Sequence, residues 1–323
     1  MCTAIHYLTK DHYFGRNLDY EVPFATAVTI MPRGYPLPLR CGDTIKGQYG
    51  MIGMAVIAED YPLFFDATNE KGLSIAGLNF PENAVYHPPT KGKYNITPFE
   101  LTPWLLGNCA NIAEAASALS QINITNINFS NDLLLTPLHW LIADKTDALV
   151  VESTKDGLEI FKNPIGVLTN SPPFAYHLHN LNNYLNITAG TPQNRFSSKI
   201  ELNAYSRGMG GIGLPGDLSS ASRFVRAAFT KLNAVSGEGE HESISQFFHI
   251  LSSVAQQRGC AEVNGKYEIT LYTSCCNTDK GVYYYTTYEN SQITAVRMLP
   301  EDLAGDVLLA YPIRTQQSVQ YEN

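Results

Sequence analysis

Met1 to Glu21 reads MCTAIHYLTKDHYFGRNLDYE, and the residue behind the initiator methionine sets the interpretation of the whole chain. Cysteine is small enough for Met1 to be removed, which would leave Cys2 with a thiol and a free α-amine on one residue. A free thiol has a pKa of about 8.5 and an α-amine one of about 7.7–8.0, so passing the proton from sulfur to nitrogen is uphill by roughly 1 kcal/mol or less. A single residue can then supply both nucleophile and base. Met1 removal is therefore an expectation of this reading.

The next residues form two strand-like runs, Thr3–Thr9 and Tyr13–Asn17, about Lys10-Asp11. Symmetric pairing across that turn sets Cys2 opposite Asp19. Cross-strand neighbours sit about 5 Å apart on one face, so the Asp19 carboxylate would orient the α-ammonium. Arg16 has the opposite parity and would point away on an ideal strand, unless the strand ends near Asn17 or a bulge re-aims it. A guanidinium beside Cys2 would favour the thiolate. Equally, a cysteine at position 2 can be incidental and Arg-Asn-x-Asp an ordinary polar strand end.

The chain has 323 residues, 44% of them apolar and 16% charged, and a formal charge of −8. That length supports a large core in one or two domains. No apolar run approaches the roughly 18 residues of a membrane helix, and no basic stretch followed by an apolar run opens the chain; a cytoplasmic protein is expected. The acidic balance argues against nucleic acid, while a few arginines can still build a local anion site. Six cysteines, Cys2, Cys41, Cys109, Cys260, Cys275 and Cys276, lack metal-ligand spacing, so neither metal nor cofactor is expected. His177 and His179 are assigned to surface or packing.

Strands are predicted at Ala25–Met31, Tyr49–Ile57, Leu63–Ala67, Leu73–Leu78, Leu138–Ala143, Ala148–Ser153, Tyr267–Ser274, Val282–Tyr288 and Ile293–Met298. Thr97-Pro98-Phe99-Glu100 reads as a helix start with Thr97 as cap. Helices follow at Ile112–Leu119 and Phe174–Leu185. Val225, Ala228, Phe229 and Leu232 make one apolar helical stripe, with Arg223 off it; Ile244, Phe247, Phe248, Leu251 and Val254 make another. Strands at both ends around a helical middle, with no linker or repeat, give the α+β class.

The opening string resembles the amino terminus of the choloylglycine hydrolase family, cysteine-type N-terminal-nucleophile amidases that include bile salt hydrolases and penicillin V acylases. The resemblance continues through NEKGLSIAGLNFP (69–81), TPFELTPWLLG (97–107), LHWLIAD (138–144), GVLTNSP (166–172), GLPGDLSSASRFVRAAF (213–229) and TSCCNTDKGVYYYTTYENSQI (273–293), nearly end to end. It implies a four-layer αββα N-terminal-nucleophile hydrolase sandwich formed by one domain over residues 1–323, and a homotetramer. It also implies that Cys2 works with Arg16, Asp19, Asn79, Asn170 and Arg223. Alone, Asn79 and Asn170 read equally as turn residues and Arg223 as a surface arginine; matched to the family, the asparagines look like oxyanion-site residues and Arg223 enters the active site.

Asparagine at position 79 favours bile salt hydrolases, since penicillin V acylases commonly carry tyrosine at the matching place. The resemblance thus implies conjugated bile salts as substrate and no membrane or nucleic-acid partner. Leu18, Tyr20, Phe65 and Leu134 are expected near the substrate by analogy, although each can equally be core. Arg207, in the glycine-rich AYSRGMGGIG (204–213), is placed to pair with a sulfonate, predicting a preference for taurine conjugates. Alternatives are a penicillin V or acyl-homoserine-lactone acylase of the same chemistry, a papain-like thiol protease, for which no histidine lies in a partner motif, and a non-enzymatic bile acid or lipid carrier.

Overall fold

The structure is a computed structural model covering residues 1–323. Its frame is two stacked antiparallel sheets. The first runs Val167–Leu168, β1 (Cys2–Leu8), β2 (His12–Tyr20), Ile269–Asn277, Val282–Thr287, Asn290–Arg297. The second has eight strands in the order Gly157–Lys162, Ala148–Thr154, Leu138–Ala143, Ser74–Asn79, Tyr61–Asn69, Met51–Ala58, Ala27–Met31, Leu309–Pro312. Chain ends thus pair with distant partners: β2 lies between β1 and a strand some 250 residues later, a non-local arrangement that only shared burial can hold in place.

Helices cover the outer face of each sheet, which gives the expected αββα layering. On the second sheet sit α1 (Leu101–Asn108) and α2 (Ile112–Leu119), closing a core of Leu105, Trp104, Ile75, Trp140 and Val151 among others. Asn69 ties α1 down, its Nδ2 donating to the carbonyls of Leu106 and Cys109, each at 2.8 Å. Asn111 caps α2, accepting from Ala113 and Glu114, a contact worth about 1 kcal/mol. Against the first sheet lie α4 (Ser220–Asn233) and α5 (Glu240–Ser252), with α3 (Phe174–Asn180) packed on α4. Their apolar faces merge with the space between the sheets into one core that includes Cys2, Phe14, Leu141, Phe224 and Phe247.

Three expectations need correcting. The hairpin register pairs Cys2 with Leu18, Ala4 with Arg16 and Leu8 with His12, so Cys2 does not face Asp19. The connection is the three-residue Thr9–Asp11 rather than a two-residue turn, with Thr9 N donating to the Asp11 carbonyl, and one extra turn residue shifts every pair by one. Helix α1 starts at Leu101, not at Thr97: Glu100 Oε2 accepts from Thr97 N at 2.8 Å, but Thr97 Oγ1 has no partner, so only half of the capping exchange forms. In α4 the buried set is Ser220, Ser222, Arg223, Phe224, Val225, Ala227 and Ala228, whereas Leu232 is 59% exposed. The buried face is turned toward Arg223, because a guanidinium with enough partners can occupy it.

Candidate active site

Cys2 begins β1 and is buried between the sheets. Because the register sets Ala4 opposite Arg16 and Cys2 opposite Leu18, Arg16 shares the Cys2 face without any distortion of its own strand. Asp19 pairs one step further out, its N–H donating to the Met1 carbonyl at 2.9 Å. Neither expected route for re-aiming Arg16 is used: β2 runs on past Asn17 to Tyr20 with unbroken register, and the bulge lies on the neighbouring strand, where Thr270 pairs with Asp19, Tyr272 with Leu18, and Leu271 is left over. Thr270 Oγ1 consequently donates to Asp19 Oδ1 at 2.6 Å, and Gln256 Nε2 to Oδ2 at 3.4 Å.

Arg223, fully buried on the first turn of α4, links the other groups. It donates to the Cys2 carbonyl at 2.5 Å, to Thr3 Oγ1 at 2.7 Å, to Asn170 Oδ1 at 2.8 Å and to the Leu218 carbonyl at 3.0 Å, and lies 3.9 Å from Asp19 Oδ2. Asn170 follows the short Val167–Leu168 strand. Its Oδ1 also accepts the Cys2 N–H at 2.7 Å, and its Nδ2 donates to the Asn79 carbonyl at 2.7 Å. One proton of that amide remains free. Asn79 ends its strand, and its side-chain amide makes no hydrogen bond, so Cys2, Asn170, Arg223 and Asp19 are linked directly, Asn79 joins through its backbone, and Arg16 shares the Cys2 face without bonding to any of them.

Several supports were not legible beforehand. Ser220 Oγ accepts the Asn170 N–H at 2.8 Å. His177, fully buried, stacks on Phe224 and has Nε2 2.9 Å from the Asn170 carbonyl. His139 stacks on Phe80 beside Asn79, and its ring nitrogens reach Glu152 Oε1 at 3.0 Å and the Thr169 carbonyl at 2.9 Å. Both histidines sit in strings quoted above or next to them, but nothing local marks a packing histidine as a support for a residue elsewhere in the chain.

Charge in this region is concentrated and dry. Burial raises the Asp19 carboxyl, with Arg223 and the chain's ammonium group pulling the other way. The Met1 ammonium sits against Glu268 Oε1 and donates to the Asp19 carbonyl at 2.7 Å. Burial is the main cause of its lowered pKa. With Met1 in place, the Cys2 nitrogen is an amide that has no basic lone pair.

Of the expected pocket residues, Leu18 is buried opposite Cys2, and Tyr20, Phe24 and Phe65 form an aromatic row with centroids 5.1 and 5.3 Å apart. That row abuts the site, because Arg16 Nη1 donates to the Phe65 carbonyl at 3.0 Å. Leu134 is 69% exposed on the loop before the Leu138 strand, and the exposed Arg207 is in no ion pair; nothing in the structure joins these two to the row.

The family model for linear amide C–N hydrolases of the choloylglycine hydrolase family matches residues 2–311. The chain belongs to the choloylglycine hydrolase family. Within that family, a bile salt hydrolase/transferase of Lactiplantibacillus plantarum is 56% identical over 98% of both chains. The crystal structure of the C2A mutant of the conjugated bile acid hydrolase from Clostridium perfringens superposes with a TM-score of 0.93, at 39% identity and full coverage of both chains. Penicillin V acylase from Agrobacterium tumefaciens, 21% identical, shares the fold with a TM-score of 0.73 over 98% of this chain and 94% of its own. As a choloylglycine hydrolase family member the protein is a linear amide C–N hydrolase, and no helix in it is long and apolar enough to cross a membrane.

Proposed function

We propose that the protein is a bile salt hydrolase that cleaves the amide joining a bile acid to taurine or glycine, with Cys2 as nucleophile after loss of Met1. The observation that carries this is Asn170 Oδ1 and Arg223 closing on the Cys2 backbone, in a chain 56% identical to a bile salt hydrolase/transferase.

Met1 removal turns the Cys2 amide into an amine, which takes the thiol proton. The thiolate adds to the substrate carbonyl, and the oxyanion is met by the free proton of the Asn170 amide and by Asn79, each donor worth roughly 3–4 kcal/mol. The tetrahedral adduct collapses with the C–N bond breaking, and the Cys2 ammonium protonates the leaving amino acid. Water then adds to the thioester, giving its proton back to the amine, and the thiolate departs from the free bile acid. Arg16 and Arg223 favour the thiolate, and Asp19 orients the ammonium. No metal or organic cofactor enters these steps.

Leu18, Tyr20 and Phe65 supply an apolar wall for the steroid, with Leu134 and Arg207 as outlying contacts. Arg207 would pair with a sulfonate, so taurine conjugates are preferred. We also propose a cytoplasmic homotetramer, supported by the exposed Leu185, Phe196, Tyr205 and Ile212 of the 185–212 segment, which would be covered by another copy.

The test is amino-acid release from taurocholate, glycocholate and penicillin V by the Met1-free protein, with Cys2→Ala as control. Bile salt cleavage lost in Cys2→Ala supports the reading. Cleavage of penicillin V alone would make the protein an acylase of the same chemistry, and tight bile salt binding without turnover would make it a carrier. An unchanged taurine-to-glycine ratio in Arg207→Ala removes the sulfonate assignment.

A further inference from the structure

Asp66 is a fully buried carboxylate that the steps above do not use. It belongs to the second sheet, on Tyr61–Asn69, but its side chain reaches the first. Tyr272 Oη donates to Oδ1 at 2.8 Å, and Tyr283 Oη and Ser274 Oγ donate to Oδ2 at 2.7 and 3.1 Å. Three hydroxyl donors on one carboxylate are the environment of an anion. Burying that anion without a purpose would be costly, since an apolar side chain of similar volume fills such a space at least as stably.

Backbone irregularities surround this group on both sheets. Met54 pairs with Asp66 and Ala55 with Phe64, so Phe65 is the extra residue of a bulge; across the gap, Leu271 is the extra residue beside Tyr272. Bulges re-aim the groups next to them. Here the Phe65 carbonyl accepts from Arg16 Nη1 at 3.0 Å, as does the Gly77 carbonyl, and Ser274 Oγ, already bound to Asp66, accepts the Arg16 N–H at 3.1 Å. Arg16 is thus tied to the residue before Asp66 and to an Asp66 ligand, yet forms no ion pair with Asp66 itself. Its Nη2 stays buried and without a partner, on the hairpin face that Cys2 shares.

We propose that Asp66 is a positioning residue: with Tyr272, Tyr283 and Ser274 it holds Arg16 in place and offsets its charge at a distance, leaving Nη2 free for the Cys2 thiolate. This rests on Cys2 being the nucleophile. Direct contact would neutralise the guanidinium, and absence of the carboxylate would leave its field on the thiol undiminished. Burial raises the Asp66 carboxyl, and Arg16, Tyr283, Tyr272 and Ser274 all pull it back toward the anion.

The experiment uses Met1-free protein and measures the rate of Cys2 alkylation by iodoacetamide against pH, alongside bile salt hydrolysis. Asp66→Asn keeps the shape and removes the charge. It should move the midpoint of alkylation to lower pH by roughly half to one unit and lower kcat about two- to threefold with KM little changed, because a less basic thiolate is a weaker nucleophile. Tyr283→Phe, which removes one donor and is the milder change should Asp66→Asn not fold, should shift the midpoint in the same direction by less. Profiles of folded variants that superpose on the parent, with activity lost only in proportion to folded protein, would overturn the proposal. Alkylation of the parent at Cys2 that leaves hydrolysis intact would instead overturn the nucleophile assignment.

Discussion

Asn170 Oδ1 accepts the Cys2 N–H at 2.7 Å, although 168 residues separate the two in sequence. The same oxygen takes Arg223 Nη2 at 2.8 Å, so one amide orients Cys2 through its oxygen and keeps one N–H free, the proton that the proposed mechanism gives to the oxyanion. Asn170→Ala removes both functions. It should lower kcat for amide cleavage by about 10²–10³, with a smaller change in KM, in steady-state assays on folded, Met1-free protein. A KM effect alone would show that Asn170 binds substrate without stabilising the oxyanion.

Arg223 offers a second test, in which stability and activity fall together. Its guanidinium is fully buried and reaches four acceptors, Cys2 O, Thr3 Oγ1, Asn170 Oδ1 and Leu218 O, beside the Asp19 carboxylate. Arg223→Leu leaves that carboxylate without its partner on α4, and breaking such a pair costs on the order of 3–5 kcal/mol. Urea unfolding should show a lower midpoint with an unchanged slope. Arg223→Lys should recover only part of the loss, since an ammonium lacks the planar fork that spans β1 and Asn170.

Acid should weaken the fold before carboxylates titrate. Burial, joined by Lys231 and His12, holds His6 down to about 3, and burial holds His12 and His177 down to about 4. Their folded values lie below the unfolded 6.5, so the unfolded chain binds more protons below pH 6.5; the stability is complete above that pH and is lost as pH falls toward 4. Fully buried His12 should contribute a loss of about 1 kcal/mol between pH 6 and 5. Asp19 and Asp66, raised by burial, act in the opposite sense and offset part of this loss. Unfolding free energy measured at pH 7, 6 and 5 should decline, and less steeply in His12→Gln; equal slopes would remove His12 from the account.

Gly15 tests how closely β2 must lie against its neighbour. A Cβ there would fall 2.0 Å from the Ser274 carbonyl oxygen, and neither strand can retreat without moving Arg16 or Asp66's hydroxyl ligand Ser274. Gly15→Ala should destabilise by about 1–3 kcal/mol and reduce activity out of proportion to the folded fraction, read by thermal unfolding and hydrolysis on the same preparation. Full activity in the folded fraction would mean that the strands separate without disturbing Arg16.

Sequence alone determined what depends on local pattern and residue chemistry. Alternating apolar runs located most strands, including Leu138–Ala143, and Ile112–Leu119 was bounded correctly, because strand and helix periods are set within a few residues. The quoted strings identified the family and Cys2, Arg16, Asp19, Asn79, Asn170 and Arg223 as the residues to find together. Tertiary structure alone decided how they meet. A turn one residue longer than expected put Arg16 on the Cys2 face; the bulge at Leu271 brought Thr270 to Asp19; and the inter-sheet contacts of Asp66 joined residues more than 200 positions apart. The inward turn of Arg223 was hidden for the same reason. Whether a charge on a helix is buried depends on partners supplied by distant segments, here β1 and Asn170, and no window of local sequence contains them.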